Sequence, residues 1–383
     1  MERRACDNSF RFGLGGYMYI ELYNQNLEHI SNVDMITFNL TKRVYGTDTF
    51  SAKGIYQGDI SSAKVLRLCQ DDGTAEYSCF VESMEFTNQE VKITGLDFRY
   101  LFKTEALLDF TTSFDSSLYG VLKKAFDVLF DGDDACYSLI PVNYILPNEF
   151  KDIDTKSMVA DYYGTYIIND ISSFIETYLR IYEYYIQIEL DLVNTKCLSL
   201  RFYAGEKTSD LSLEDFEYKR STSSVSTNKT VATIKFESKI ENEDGTTTIR
   251  PRPSSIATIY YYLTKDNQIV QSSSPNIELE ERIYPVVAKW YEDEYLAKAQ
   301  FNAAYELACN RYVDNITIEA NSKLDPINLE AKGLCTLFNI YHNGVFIYTL
   351  PLAEKTIALT NSGRTCQIKL GFKKMLLTEI IKR

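Results

Sequence analysis

The sequence predicts an α+β, β-rich chain: two barrel-like β-modules, a helical insertion and a C-terminal β-domain. Three observations carry this. Between Ile20 and Phe102, short runs alternate apolar and polar residues and are parted by turn-forming residues, the period of half-buried strands. After Thr104 the apolar period lengthens to that of a helix. Tyrosine, at 29 copies, outnumbers phenylalanine at 21, and its ring suits strands and interfaces because the hydroxyl can stay wet while the ring packs. A chain of 383 residues exceeds what a single core holds. The expected segments are residues 1–106, an N-terminal barrel-like tube module; 107–190, a helix-containing insertion; 191–290, a second β-module; and 291–383, a helix with a C-terminal β-hairpin domain.

In the first module, a strand within 17–28 turns at Asn24-Gln25-Asn26, and strands follow at Met35–Leu40 and Thr49–Gly54. Asp71-Asp72-Gly73 between two apolar runs predicts a hairpin, since glycine takes positive φ without steric cost. Val91–Phe98 reads as a strand broken at Gly95. Rolling this antiparallel sheet into a barrel removes its edges.

Leu118, Leu122, Ala125 and Leu129 recur at helical spacing, with Asp115 or Ser116 placed to cap the helix. A polar, proline-containing stretch occupies 131–170. A second helix is expected over 171–186, its core stripe formed by Ile171, Phe174, Ile175, Tyr178, Tyr182, Tyr185 and Ile186. Strand alternation returns at Leu198, Leu200 and Phe202. Residues 231–240 and 249–263 are expected to pair around Glu243-Asp244-Gly245, beyond a polar connector at 221–230. A third helix is expected over about 292–309, with Ala297, Phe301, Ala304 and Ala308 as its narrow stripe. Asn343-Gly344 and Asn361-Ser362-Gly363 then mark two hairpins.

Composition narrows function. The net charge is −13, and the basic residues are scattered in pieces no longer than Lys42-Arg43 and Lys373-Lys374. Binding that releases counterions from nucleic acid needs a positive face, so sequence-specific nucleic-acid binding is not expected. The eight cysteines are far apart, with no CxxC, and read as buried free thiols of a chain folded in a reducing cytoplasm. No transmembrane segment is expected, since no apolar run approaches the length needed to span a bilayer. MERRACDNSFRFG is basic but has no apolar core of a signal peptide.

Catalytic signals are equally sparse. There are two histidines, His29 beside a turn and His342 before a hairpin tip, and neither has a ligand-spaced partner. No HExxH and no GxSxG occurs. Phe12–Tyr17 is glycine-rich without the spacing of a phosphate loop, and Asp131–Asp134 lacks the ligand ladder of a calcium loop. Acid runs at Glu278–Glu281 and Glu292-Asp293-Glu294 read as wet surface, and the single tryptophan, Trp290, makes no sugar-binding platform. No catalytic, cofactor-binding or metal-binding residue is assigned, and no cofactor is expected.

A layout of short strings carries a resemblance. Tyr23-Asn24-Gln25-Asn26-Leu27 is followed by TKRVYGTDTF (41–50), the Asp-Asp-Gly hairpin, and a strand ending Thr94-Gly95-Leu96-Asp97-Phe98-x-x-Leu101. Further on stand IELDLVNTKCLSLRFYAGEKTSDL (188–211), with its turn at Gly205-Glu206-Lys207, and the Ser- and Asn-rich stretch 216–233. Together these resemble siphophage tail-hub, or tail-tip, proteins, similar in fold to the baseplate hubs of tailed phages. The basic pair that often follows the family's Leu101-like position is replaced by Phe102-Lys103-Thr104-Glu105, and no hydrolase extension is expected beyond residue 383.

The resemblance implies a non-enzymatic structural hub of the virion, assembled in the bacterial host cytoplasm. It implies a homotrimer that rings the distal end of the tail tube and gates the channel for DNA. The implied partners are the distal tail protein, the tape-measure protein, and tail tube or receptor-binding proteins. The polar stretches 221–230 and 271–276 are hinge candidates in such a device. The alternative functions are a cell-wall glycan hydrolase working through paired carboxylates, or a host-recognition adhesin of the virion.

Overall fold

The computed structural model describes residues 18–110, 115–131, 140–153, 164–168, 170–192, 195–205, 208–221, 231–242, 244–251, 259–263, 269–272, 287–291, 307, 315–320 and 328–372. The described residues form two compact units. The first holds those up to Lys42, Asp48–Phe98 and Thr356–Cys366; the second holds Arg43–Thr47, those from Arg99 to Lys355, and those from Gln367 onward.

The first unit is a closed barrel. Its strands are β1 (Met18–Tyr23), β2 (His29–Arg43), β3 (Thr49–Tyr56), β4 (Val65–Gln70), β5 (Ala75–Thr87) and β6 (Glu90–Leu96). They follow the order β1-β4-β5-β6-β3-β2, all antiparallel, and β1 pairs back onto β2 to close the ring of six. Closure leaves none of these six strands as a bare edge. Ile20 lies opposite Leu68 and Leu22 opposite Leu66, and all four are fully buried. Register shifts in β2 (Met35/Thr37), β4 (Leu68/Cys69) and β5 (Val81/Ser83) bend the strands enough to curl.

The local chemistry explains the turns. The Asn24 side-chain oxygen accepts from the backbone N–H groups of Asn26 and Glu28, an Asx-type reversal. At the next hairpin, Asp72 accepts from the Thr74 N–H, and Gly73 takes φ +83°. Gly95, expected to break its strand, does not: β6 runs through it, paired with Phe50 on one side and Val81 on the other. A Cβ at this position would lie 2.3 Å from Cys79 Sγ and 3.0 Å from Phe50 Cδ1, so glycine is there for close packing.

In the second unit, β7 (Ala106–Phe110) pairs antiparallel with β9 (Gly164–Ile168). Helix α1 (Leu118–Phe126) is capped by Ser117, whose Oγ accepts from the Gly120 N–H at 3.1 Å. The cap is thus one residue later than expected, and Asp115 instead accepts from the Ser117 N–H. Helix α2 (Ile171–Ile181) is capped by Asp170. It stops short of the expected 186, because Glu183 takes φ +61° and Tyr184–Asp191 forms strand β10. Tyr185 and Ile186 are buried as expected, but from a strand.

Strand β10 pairs antiparallel with β11 (Cys197–Ala204), which pairs parallel with β8 (Val142–Tyr144). An aromatic core binds α1 to this sheet: Phe126 lies 6.1 Å and Phe150 5.5 Å from Phe202, ring centre to ring centre.

The remaining strands pair across long sequence separations. Strand β12 (Ser209–Ser212) runs parallel with β20 (Leu337–His342), and β13 (Tyr218–Ser221) antiparallel with β19 (Asn315–Ala320). Strands β14 (Val231–Glu241) and β15 (Thr247–Pro251) make the expected hairpin, with Asp244 accepting from the Thr246 N–H. They share a sheet with β16 (Ile259–Leu263), β17 (Ile269–Ser272) and β18 (Val287–Tyr291).

Asn343 and Gly344, at φ +50° and +73°, turn β20 into β21 (Val345–Thr360). The two expected hairpins share this one long strand, which passes through Pro351, whose carbonyl accepts from the Gly371 N–H at 2.8 Å. Strand β22 (Gly363–Leu370) follows. The third expected helix, 292–309, lies outside the described residues apart from Leu307, which is helical and buried.

Candidate functional site

No helix among the described residues is long and apolar enough to cross a membrane. Among the described residues, no three His, Cys, Asp or Glu side chains gather as a metal site would require.

On β1 and β4 of the barrel, Glu21 is the hub of a polar cluster. Its carboxylate accepts from Tyr23 at 2.7 Å and from Arg67 at 3.1 Å, with Cys69 Sγ at 3.6 Å. Burial alone would raise its pKa, but the Tyr23 and Arg67 hydrogen bonds outweigh burial and hold it below the usual carboxylate value. Burial and the same carboxylate push the Cys69 thiol up to about 12, so it is a poor nucleophile. His29, one of the two histidines, stacks edge-on to Tyr23 and hydrogen-bonds Asn32 at 2.7 Å.

In the second unit, residues 43–47 are pinned from several sides. Glu176 on α2 accepts from the Gly46 N–H at 2.7 Å, Arg180 lies 4.4 Å over the Tyr45 ring, and buried Arg99 donates to the carbonyls of Arg43 and Val44. Arg43 pairs with Glu354 at 2.9 Å. The hollow beneath this turn, lined by Tyr45, Arg99 and Glu176 among others, has about 20 Å³ for water centres, room for a water.

His342, the second histidine, stands at the β20–β21 hairpin tip, where its Nδ1 lies 3.0 Å from Glu214. Glu214 also accepts from the Asn343 N–H and the Ser212 hydroxyl. The Ser212 and Asn343 bonds lower its pKa to about 2. This clasp joins residues 129 apart in sequence, and no local pattern marks it. Beyond it, Val345 and Phe346 stand 67% and 52% exposed, an apolar point on the surface.

Of the other positions noted in the sequence, Asp131 accepts from Tyr144, which also donates to Asp127. The rest of that acidic run, the glycine-rich 12–17, Glu278–Glu281, Glu292–Glu294 and most of both hinge stretches lie outside the described residues. Ser221 belongs to β13 and Gln271 and Ser272 to β17. Cys69, Cys79, Cys197, Cys335 and Cys366 are buried free thiols, as expected; Cys6, Cys136 and Cys309 lie outside the described residues.

The fold is similar to that of a solved phage tail protein. The 43 kDa tail protein of prophage MuSo2 from Shewanella oneidensis superposes with a TM-score of 0.53 over 94% of this chain and 98% of its own, at 11% identity. A tail protein from Neisseria meningitidis MC58 follows at 0.49, over 95% and 99%, with 9% identity, and prophage tail protein gp18 from Listeria monocytogenes EGD-e at 0.47, over 96% and 97%, with 12%. At such identities the likeness is one of fold. No protein-family model and no curated protein matches the sequence.

Proposed function

We propose that this chain is a structural subunit of a phage tail or tail-like particle. In this reading it acts as a hub: three copies ring the distal end of the tail tube, cap its channel, and open it for DNA by rigid-body motion of the modules. It works without catalysis, inside a virion, against the distal tail protein, the tape-measure protein, and tail tube or receptor-binding proteins. The observation that carries the reading is the end-to-end likeness of fold to the Shewanella tail protein, 94% of one chain over 98% of the other. A shared small domain would not give coverage on both sides.

The oligomer is the part most open to test. Closed homo-oligomers bury the same patches on every copy, and obligate ones bury large areas. Native mass measurement and light scattering on purified protein are expected to give three times the 44.0 kDa chain mass, with ring-shaped particles in negative stain. A particle of one chain mass across the micromolar range overturns the hub reading.

A further inference from the structure

Three hairpin turns place an acid or its amide directly before a glycine at positive φ: Asp72-Gly73, Asp244-Gly245 and Asn343-Gly344. In this order the glycine nitrogen can attack the side-chain carbonyl carbon that precedes it. Two of the turns are tied against that. The Asp72 carboxylate accepts from the Thr74 N–H at 2.8 Å, and the Gly73 N–H donates to the Gln70 carbonyl at 3.0 Å. Asp244 accepts from the Thr246 N–H at 2.9 Å, and the Gly245 N–H donates to the Asn242 carbonyl at 3.0 Å. Hydrogen bonds from Thr74 and Thr246 lower the pKa of both acids, so they stay ionised and resist a nucleophile.

The third turn is untied. Among the described residues, no hydrogen bond reaches the Asn343 side-chain amide or the Gly344 N–H; the Asn343 backbone N–H alone is held, by Glu214. Both residues are exposed, and a Cβ built on Gly344 would meet no atom within 4 Å. Glycine also puts no side chain in front of its own nitrogen. We propose that Asn343 is a self-modification site, converting to aspartate and isoaspartate, and that the conversion loosens the clasp on the β20–β21 tip. The Gly344 nitrogen gives its proton to solvent and attacks Asn343 Cγ. That C–N bond forms as the Cγ–Nδ2 bond breaks, and Nδ2 leaves as ammonia with a proton from water. Water then opens the cyclic imide at one carbonyl to give aspartate, or at the other to give isoaspartate. One water is consumed and one ammonia released, with no change of oxidation state. The new carboxylate stands beside Glu214, which holds the Asn343 N–H and lies 3.0 Å from His342 Nδ1. Isoaspartate also lengthens the main chain within a turn that needs two successive positive φ values.

Purified full-length protein kept in warm, mildly alkaline heavy-oxygen water, then mapped by peptide mass spectrometry with an isoaspartyl methyltransferase as marker, tests this. One heavy oxygen is expected to enter residue 343 several-fold faster than residues 72 or 244. Hydrogen exchange from Tyr341 to Phe346 is expected to be several-fold faster in the converted fraction than in the unconverted one, with β4 and β5 alike in both. An Asn343 that stays intact while other asparagines convert, or a tip equally protected before and after conversion, overturns the inference.

Discussion

At the scale of single residues, side-chain size and hydrogen-bonding capacity decide most of what the chain can do. Gly95 is the sharpest case. Alanine there would drive its methyl carbon into the Cys79 thiol, 2.3 Å away inside a closed ring of strands that cannot easily widen. Gly95→Ala is expected to lower stability by about 1–3 kcal/mol, the usual cost of overpacking. Urea unfolding checks this, and Cys79→Ala in the same protein is expected to return part of the loss, because it removes the atom in the way. A single mutant as stable as the parent would mean the barrel relaxes around the site. In the sequence Gly95 reads only as a strand breaker, because the requirement for glycine comes from a neighbour 16 positions away. The asparagine and aspartate turns are legible for the opposite reason: Asn24, Asp72 and Asp244 bond backbone two to four residues off, and that chemistry is written in the local string.

At the scale of elements, the hairpins and α1 were readable and the end of α2 was not. Asn343-Gly344 supplies two positive φ values in a row, which few other pairs can do. For α2, Tyr182, Tyr185 and Ile186 extend the helical stripe by coincidence; Glu183 reverses the chain, and Tyr185 and Ile186 are buried from β10 instead. Burial was legible there and geometry was not, since an apolar residue looks alike on either element. The clasp on the β20–β21 tip adds a pH dependence to its hairpin. Glu214 sits at about 2 in the folded chain, through the Ser212 and Asn343 hydrogen bonds, against about 4.3 for an ordinary glutamate. A depressed carboxylate contributes fully above its unfolded value, and that contribution is lost as pH falls from there through about 2. Hydrogen exchange at the Asn343 amide, referenced to intrinsic rates, is expected to lose protection over this window and hold level above it. In Glu214→Gln the amide partner stays but the acid-dependent loss disappears; an unchanged acid profile in that variant would place its origin elsewhere.

At the scale of the whole molecule, the barrel was foreseeable and the long-range pairings were not. Closing a run of strands follows from the cost of leaving edges bare, and four of the six neighbouring pairs in the ring are consecutive in the chain. The parallel pairs β8–β11 and β12–β20 carry no local signal; only the folded chain brings Leu198 beside Val142 or Asp210 beside Asn339. The same holds for the third piece of the first unit, Thr356–Cys366, drawn from far along the chain. There the Thr41 and Thr356 hydroxyls lie 3.0 Å apart, and β21 is the neighbour of β2 in the sheet order. Completion of this unit therefore waits on a segment made some three hundred residues after β1, a loop closure of high entropic cost. A chain ending at residue 344 keeps every strand of the six-stranded ring yet lacks this piece. Native hydrogen exchange on it is expected to show faster exchange from Phe38 to Lys42 in β2, while β4 and β5, whose ring partners all remain, stay protected. Equal protection in the long and short proteins would make the barrel independent of the late segment, and loss of protection in all six strands at once would make that segment a condition for the barrel to exist.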